Sequence, residues 1–391
     1  MRALFLTHAF PRFEADPVGS FVVRLATALR AKGIESTVLT PAAPDLPASE
    51  LIEDIPVRRY RYAPRRWETL AYAGNMAAQV RESWKARAAL GGMLASGFSS
   101  AMRELSRQRY DLLHAHWWFP SGLIGASVHA FRGLPLITTM HGSDVRLARS
   151  FPGGRAAFGK VVRASAAMTT VSSWLAREAT EFDRAARPIV APMPVAASLF
   201  RPPMPGTRLE DRLLFVGKLS EQKGLQHLLR ALTIMQAQPT VDVVGAGRVD
   251  DAHLRVMADD LGVGSRINWL PLLTQAELAE LYRRSTIHVI PALEEGLGLT
   301  AVESLLSETP VVAFDSGGVP DVVVPNTSGI LVPPGDVEAL AKALDRLLLD
   351  PEERTSLGRR GRDFAMAHFS PDAVASTYAS LYEQASRADP K

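Results

Sequence analysis

Two carboxylates bracket a turn in EEGLGLTAVE, residues 294–303. Glu295 and Glu303 stand either side of Gly296 and Gly298, with no cation between them. A carboxylate accepts hydrogen bonds well from sugar hydroxyls. Glycines at a strand-to-helix turn let a ligand approach the backbone closely. The helix start that follows Gly298 offers unpaired N–H donors and a partial positive charge. A diphosphate seated at that helix mouth, with a sugar held by an acid on each side, fits these residue types. The segment also suits a plainer reading, in which Glu303 favours a helix dipole and Glu295 is a solvated loop acid.

Other segments hold compatible chemistry. In FVGKLSEQKG (215–224), Lys218 and Lys223 follow an apolar run and are punctuated by Gly217 and Gly224. Two ammonium groups on a strand-end loop can neutralise a departing diphosphate, although solvated lysine pairs are common. HGSD (141–144) follows LITTM. His141 at a strand end can donate to a sugar hydroxyl or assist at a phosphate, while Ser143 or Asp144 can cap the next helix. HAHWW (114–118) sets His114 and His116 on one side of a strand. With His141 and Asp144 they suggest a metal set. Histidines at strand ends more often hydrogen-bond, so no metal is expected. Trp117 and Trp118 either stack on a sugar or pack in the core, and core packing is expected for at least one. VVGAGRVD (243–250) has Asp250 where a dinucleotide fingerprint needs its third glycine, so it argues only for a tight turn.

The elements that must position these residues alternate. Apolar β-branched runs (ALFLTHAF, STVLTP, LLHAH, LITTM, MTTVSS) are separated by amphipathic stretches such as FVVRLATALRAKG, the signature of a parallel sheet with helices on both faces. Residues 187–206 break the rhythm with six prolines and read as an interdomain linker. The alternation then restarts with RLLFVGKL, VDVVGAG, INWL, HVIPAL, VVAFD and GILVPP. The expected fold class is therefore α/β, with an N-terminal domain over 1–190, a linker over 191–208 and a C-terminal domain over 209–370. A last helix, 371–386, is expected to cross back and brace the first domain. Tandem open sheets usually hold ligands at the carboxyl ends of their strands, here in the cleft between domains.

Composition narrows the classes. The 391 residues include no cysteine, which excludes disulfides and thiolate chemistry and suits a reducing compartment. No apolar run reaches the ~18 residues of a membrane span, and the N-terminal run is too short for a signal peptide. A cytoplasmic placement is expected, with peripheral attachment at the inner face of a membrane left open. The net charge of +3 conceals an asymmetry: residues 1–205 carry 26 Lys/Arg against 15 Asp/Glu. No nucleic-acid-binding pattern accompanies the basic half. Residues 58–109 interleave arginine with aromatics, and Met76, Val80 and Trp84 recur every fourth residue beside Arg81 and Lys85. This pattern suits an interfacial helix on an anionic membrane surface, or an ordinary crossover helix packed on its sheet.

Taken in order and spacing, the chain resembles the retaining glycosyltransferases of family 4, with their GT-B architecture of two Rossmann-like domains facing across a cleft. The matching pieces are Gly19 after the first strand, HGSD, VGKLSEQKG, the Glu295–Glu303 pair, SGGVPDVV (316–323) and GILVPPGD (329–336). The resemblance covers nearly the full length and is densest from 211 to 340. It implies a nucleoside diphosphate sugar as donor substrate and no cofactor or metal. Glu303 would hold the ribose hydroxyls and Glu295 the donor sugar. Lys218 and Lys223 would bind the diphosphate with backbone help from Gly19, Leu299 and Thr300 beside Gly298. His141 would sit against the transferred sugar, and the base near Trp269–Leu270. His116, Trp117 and Trp118 would lie on the acceptor side, where a lipid-linked, polysaccharide or small glycosyl acceptor is expected. Lys218 stands where the family often has arginine, Leu297 where phenylalanine is usual, and PMPVAASLF departs from the usual linker. Two other classes remain: a nicotinamide-dependent oxidoreductase, which the incomplete fingerprint disfavours, and a non-catalytic nucleotide-sugar-binding protein, which the intact charged positions disfavour.

Overall fold

A computed structural model describes residues 1–387 except 15, 17, 73–75, 143, 152, 205 and 246–251. The chain divides into two compact units, Met1–Pro194 with Pro371–Lys391, and Val195–Ser370.

The first unit is built on an eight-stranded sheet. Its strands are β1 (Arg2–Leu6), β2 (Glu35–Pro41), β3 (Ser49–Ile52), β4 (Ile55–Tyr60), β5 (Leu112–His116), β6 (Leu136–Met140), β7 (Ala167–Thr170) and β8 (Ile189–Val190). They lie in the order β3-β4-β2-β1-β5-β6-β7-β8, parallel throughout except for the antiparallel β3–β4 pair. Ala3, Leu4, Phe5, Leu112, Leu113 and Ala115 are fully buried, as expected for strands covered on both faces. Chain order reverses direction between β1 and β5. In an open parallel sheet that switch point leaves a crevice at the strand carboxyl ends.

Residues 58–109 suit an interfacial or a crossover helix by sequence, but Arg58, Arg59 and Tyr60 at their start belong to a strand of the β3–β4 hairpin. They lie in β4, beside β2. Arg59 is buried and donates to Glu50, to the Tyr72 hydroxyl and to the Pro11 carbonyl, each at 2.8 Å. Tyr60 and Tyr62 are buried too. The four-residue repeat is also interrupted: one helix covers Met76–Glu82, another begins at Trp84 and runs to Arg107. Arg61, Arg65, Arg66, Arg81, Trp84, Lys85 and Arg87 are among the residues of this stretch that stay at the surface, with Trp67 part-buried.

The C-terminal helix Pro371–Arg387 belongs to the first unit. It buries Val374, Ala375, Tyr378, Leu381, Tyr382 and Ala385 on one stripe. The Tyr382 hydroxyl lies 2.6 Å from His114 Nδ1, and His114 Nε2 lies 2.7 Å from the Thr139 hydroxyl. His114 is thereby engaged at both nitrogens inside the core.

The second unit carries six parallel strands: β9 (Arg212–Val216), β10 (Thr240–Val244), β11 (Ile267–Leu270), β12 (Ile287–Ile290), β13 (Val311–Phe314) and β14 (Gly329–Val332). Their order is β11-β10-β9-β12-β13-β14, so the switch point lies between β9 and β12. Part of the stretch expected to link the domains is packed into this unit. Val195 donates to the Phe369 carbonyl at 3.1 Å, and Phe200 is fully buried edge-on to Tyr282. A large aromatic in a proline-rich stretch anchors it to a core despite the absence of periodicity.

Candidate active site

At the β9/β12 switch point of the second unit the loop after β9 meets the segment after β12. After β9 the chain turns through Gly217 and Lys218, and a short helical turn, Glu221–Lys223, brings Lys223 back beside Gly217. Gly224 has φ +76°, and a Cβ there would stand 1.7 Å from the Pro291 carbonyl oxygen. Only glycine allows the β9 loop to lie so close to the segment that follows β12. A backbone bond from Leu293 N–H to the Gln222 carbonyl, 2.9 Å, ties the same two loops.

That register places the Lys223 ammonium on the Glu295 carboxylate. The other Glu295 oxygen accepts from the Gly296 amide at 3.0 Å. The Glu295 carbonyl accepts from Gly318 at 2.8 Å, and a Cβ at Gly317 would lie 2.2 Å from that carbonyl oxygen. Glu295 is thus a fixed residue held from three directions, not the solvated loop acid of the plainer reading. Lys218 is exposed. Gly298, at φ +92°, begins the helix Leu299–Leu306 without any side-chain cap. The first backbone bonds of this helix come from Ala301 and Val302 to Gly298, so the Leu299 and Thr300 amides precede its ladder and face outward. Glu303 is only 7% exposed, and its carboxylate accepts from the Tyr282 hydroxyl at 3.3 Å. Trp269 and Leu270 end β11, the edge strand two places from β9. The Arg255 guanidinium sits 4.6 Å from the Trp269 ring centre.

The first unit has a matching cluster at its own β1/β5 switch point. Gly19, at φ +71°, caps the helix Ser20–Ala31, and a Cβ there would stand 2.4 Å from the Ala9 carbonyl oxygen. His8, Phe21, Trp117 and His141 pack ring against ring, with centroids 4.4 to 5.8 Å apart. Trp117 holds φ +65°, an unusual conformation for a bulky residue. Its amide donates to the Thr139 carbonyl at 2.8 Å.

His116 Nδ1 lies 3.1 Å from His141 Nε2, with the rings stacked. One imidazole must donate and the other accept, so the pair works with both rings neutral. Burial holds His116 down to about 3 and His8 down to about 4. His141 is also lowered, first by burial and then by its neighbours His116 and His8. Asp144 is buried and, through that burial, raised to about 6. Its carboxylate accepts from the His141 amide at 2.6 Å, Gly142 at 3.1 Å and Trp118 at 3.3 Å. It therefore fixes the turn that precedes it and the end of β5. Ser143, and positions 246–250 of the GAGRVD turn, lie outside the described residues.

The structure corrects the acceptor-side expectation for Trp118. Its ring is fully buried and its indole N–H donates to the Asp144 carbonyl at 2.8 Å. His116 is buried as well, with its Nδ1 on His141. Trp117 alone of those three is part-exposed. His8 and Gly317 are not singled out by the sequence, and Asp144 only as a metal ligand or helix cap. The close packing around Gly317 had a signal in SGGV, whereas His8 had none beyond ending a strand.

The family model of glycosyl transferases group 1 matches residues 208–364, and that of glycosyltransferase family 4 matches residues 18–198. D-inositol 3-phosphate glycosyltransferase 1 of Catenulispora acidiphila is 30% identical over 379 residues, covering 88% of this chain and 85% of that protein. The chain belongs to glycosyltransferase family 4. Solved structures agree on the GT-B fold. Sucrose-phosphate synthase from Thermosynechococcus elongatus superposes with a TM-score of 0.81 at 21% identity, covering 98% of this chain and 99% of its own. Anabaena HepE, solved in complex with UDP, gives 0.75 at 18% identity, covering 98% of this chain and 100% of its own. This glycosyltransferase thus carries both switch-point clusters on a fold shared with its family, one cluster in each unit.

Proposed function

We propose that this glycosyltransferase moves a sugar from a nucleoside diphosphate sugar with retention at the anomeric carbon and without a metal ion. One observation carries the reading: at the switch point of the second sheet the Lys223 ammonium pairs with the Glu295 carboxylate beside the uncapped helix start at Gly298. Lys218, Lys223 and the Leu299 and Thr300 amides take the diphosphate. Glu303 takes the ribose hydroxyls, Glu295 the donor sugar, and the end of β11 lies by the base. HepE, solved with UDP, supports this class of ligand. The first unit takes the acceptor, with His141 and Trp117 presented to it.

Departure of the diphosphate develops negative charge on phosphate oxygens. Fixed ammonium groups and helix-end amides stabilise that charge in the transition state. A covalent glycosyl intermediate needs a carboxylate within bonding reach of the anomeric carbon. Glu295 is given to the hydroxyls of the donor sugar, with one carboxylate oxygen held by Gly296 and its carbonyl by Gly318, and Glu303 is buried against Tyr282. Front-face attack, with the leaving diphosphate accepting the acceptor's proton, fits these residues better. A panel of nucleotide sugars, with product configuration read by NMR, tests the reading. Retained configuration and activity undiminished by chelator are expected. An inverted product, or loss reversed by a divalent ion, would contradict it.

An anionic membrane surface is the proposed partner of the first unit. Trp84 is 64% exposed and meets Trp67 edge-on at 5.5 Å, with Lys85 6.0 Å over the Trp67 ring. Arg65, Arg66 and Arg81 adjoin them, against a single exposed acid, Glu82, in the same run. An exposed indole among cations suits a headgroup layer. Sedimentation with anionic liposomes that weakens with salt is expected, and no sedimentation at low salt would remove the proposal.

A further inference from the structure

Lys223 is the ammonium best placed to meet a diphosphate, yet it is already paired with Glu295. The pair is part-buried, with side-chain exposures of 30% and 18%. Neither partner is there by chance of a flexible surface. Gly224 and the Leu293–Gln222 bond fix the lysine's loop against the glutamate's loop, and Gly296, Gly317 and Gly318 fix Glu295. A carboxylate oxygen and a phosphate oxygen make the same charge-assisted bond to an ammonium.

We infer that Glu295 stands in for the diphosphate on Lys223, and that ligand binding exchanges its carboxylate for a phosphate oxygen. The inference rests on the reading of this loop pair as a diphosphate site. The displaced carboxylate then needs a new donor. A nucleotide sugar supplies one in its hydroxyls; the bare nucleoside diphosphate left after transfer does not. The ion pair therefore weakens product more than donor, favouring product release, and Glu295 sets the preference for a sugar-carrying ligand over its spent form.

Isothermal titration of UDP and GDP against the full chain tests this, with the tighter binder carried forward. Glu295→Gln keeps size and hydrogen bonding but frees Lys223, and should bind the bare diphosphate about fivefold tighter than the wild type. Its preference for the matching nucleotide sugar over the diphosphate should shrink. Glu295→Ala should act in the same direction, and either change should lose its effect in a Lys223→Met background. Unchanged or weaker diphosphate binding in both Glu295 variants, with wild-type binding intact, would overturn the exchange. Failure of the wild type to bind any nucleoside diphosphate would overturn instead the reading on which it rests.

Discussion

Lys223 and Lys218 carry the proposed chemistry, so their removal should reduce turnover far more than stability. Alanine at either is expected to lower kcat/KM by about a hundredfold, the order seen when a transition-state charge donor is lost, with the melting temperature little changed. Normal kinetics in both variants would contradict the assignment. Gly224→Ala should behave differently. A Cβ 1.7 Å from a carbonyl oxygen, at positive φ, forces the two loops apart, so both stability and activity should fall together. The histidine cluster makes a prediction about pH. His116 and His8 are held well below their unfolded value, so the unfolded chain takes up protons first as pH falls below about 6.5, and stability declines. Asp144 opposes this: raised to about 6, it binds its proton in the folded state first, adding stability that is lost as pH rises through that value. Asp144→Asn should therefore lose stability more steeply than the wild type between pH 6 and 4, as read by urea unfolding across that range. An identical slope would contradict the balance.

Among the elements, the C-terminal helix makes the sharpest demand. Tyr382 supplies the partner of His114 Nδ1 across 268 positions. Tyr382→Phe leaves that nitrogen unpaired in the core and should destabilise the chain by about 1–3 kcal/mol, measured as a lower urea midpoint at unchanged slope. The parallel strands were legible in the sequence because buried strands read as continuous apolar runs, as in LLHAH and VVAF. The β3–β4 hairpin was not, because its charges conceal burial. Arg59 looks solvent-seeking until Glu50 across the hairpin, Tyr72 and the Pro11 carbonyl 48 positions away surround it. The same limit applies to the site. The glycines and lysines of the β9 loop and the acids after β12 could be singled out separately. The ion pair joining them spans 72 positions and depends on Gly224 and Pro291 meeting, which no spacing announces. Adjacent indoles were likewise indistinguishable until Trp118 turned into the core and Trp117 outward.

Across the whole molecule, two Rossmann-like units each concentrate their chemically capable residues at a sheet switch point, while positive charge is concentrated in the N-terminal half. No helix among the described residues is long and apolar enough to cross a membrane; the proposed attachment through the charged Trp67–Trp84 patch is expected to be salt-sensitive. Replacing Trp84 and Lys85 together should abolish liposome sedimentation while leaving soluble donor turnover intact. The central claim concerns the second unit and is tested most directly by a crystal structure with the nucleoside diphosphate that binds best. The phosphates should lie within hydrogen-bonding distance of the Lys218 and Lys223 ammonium groups and the Leu299 and Thr300 amides, with the ribose on Glu303. A nucleotide seated elsewhere, with the β9 and β12 loops vacant and Lys223 still on Glu295, would contradict the account.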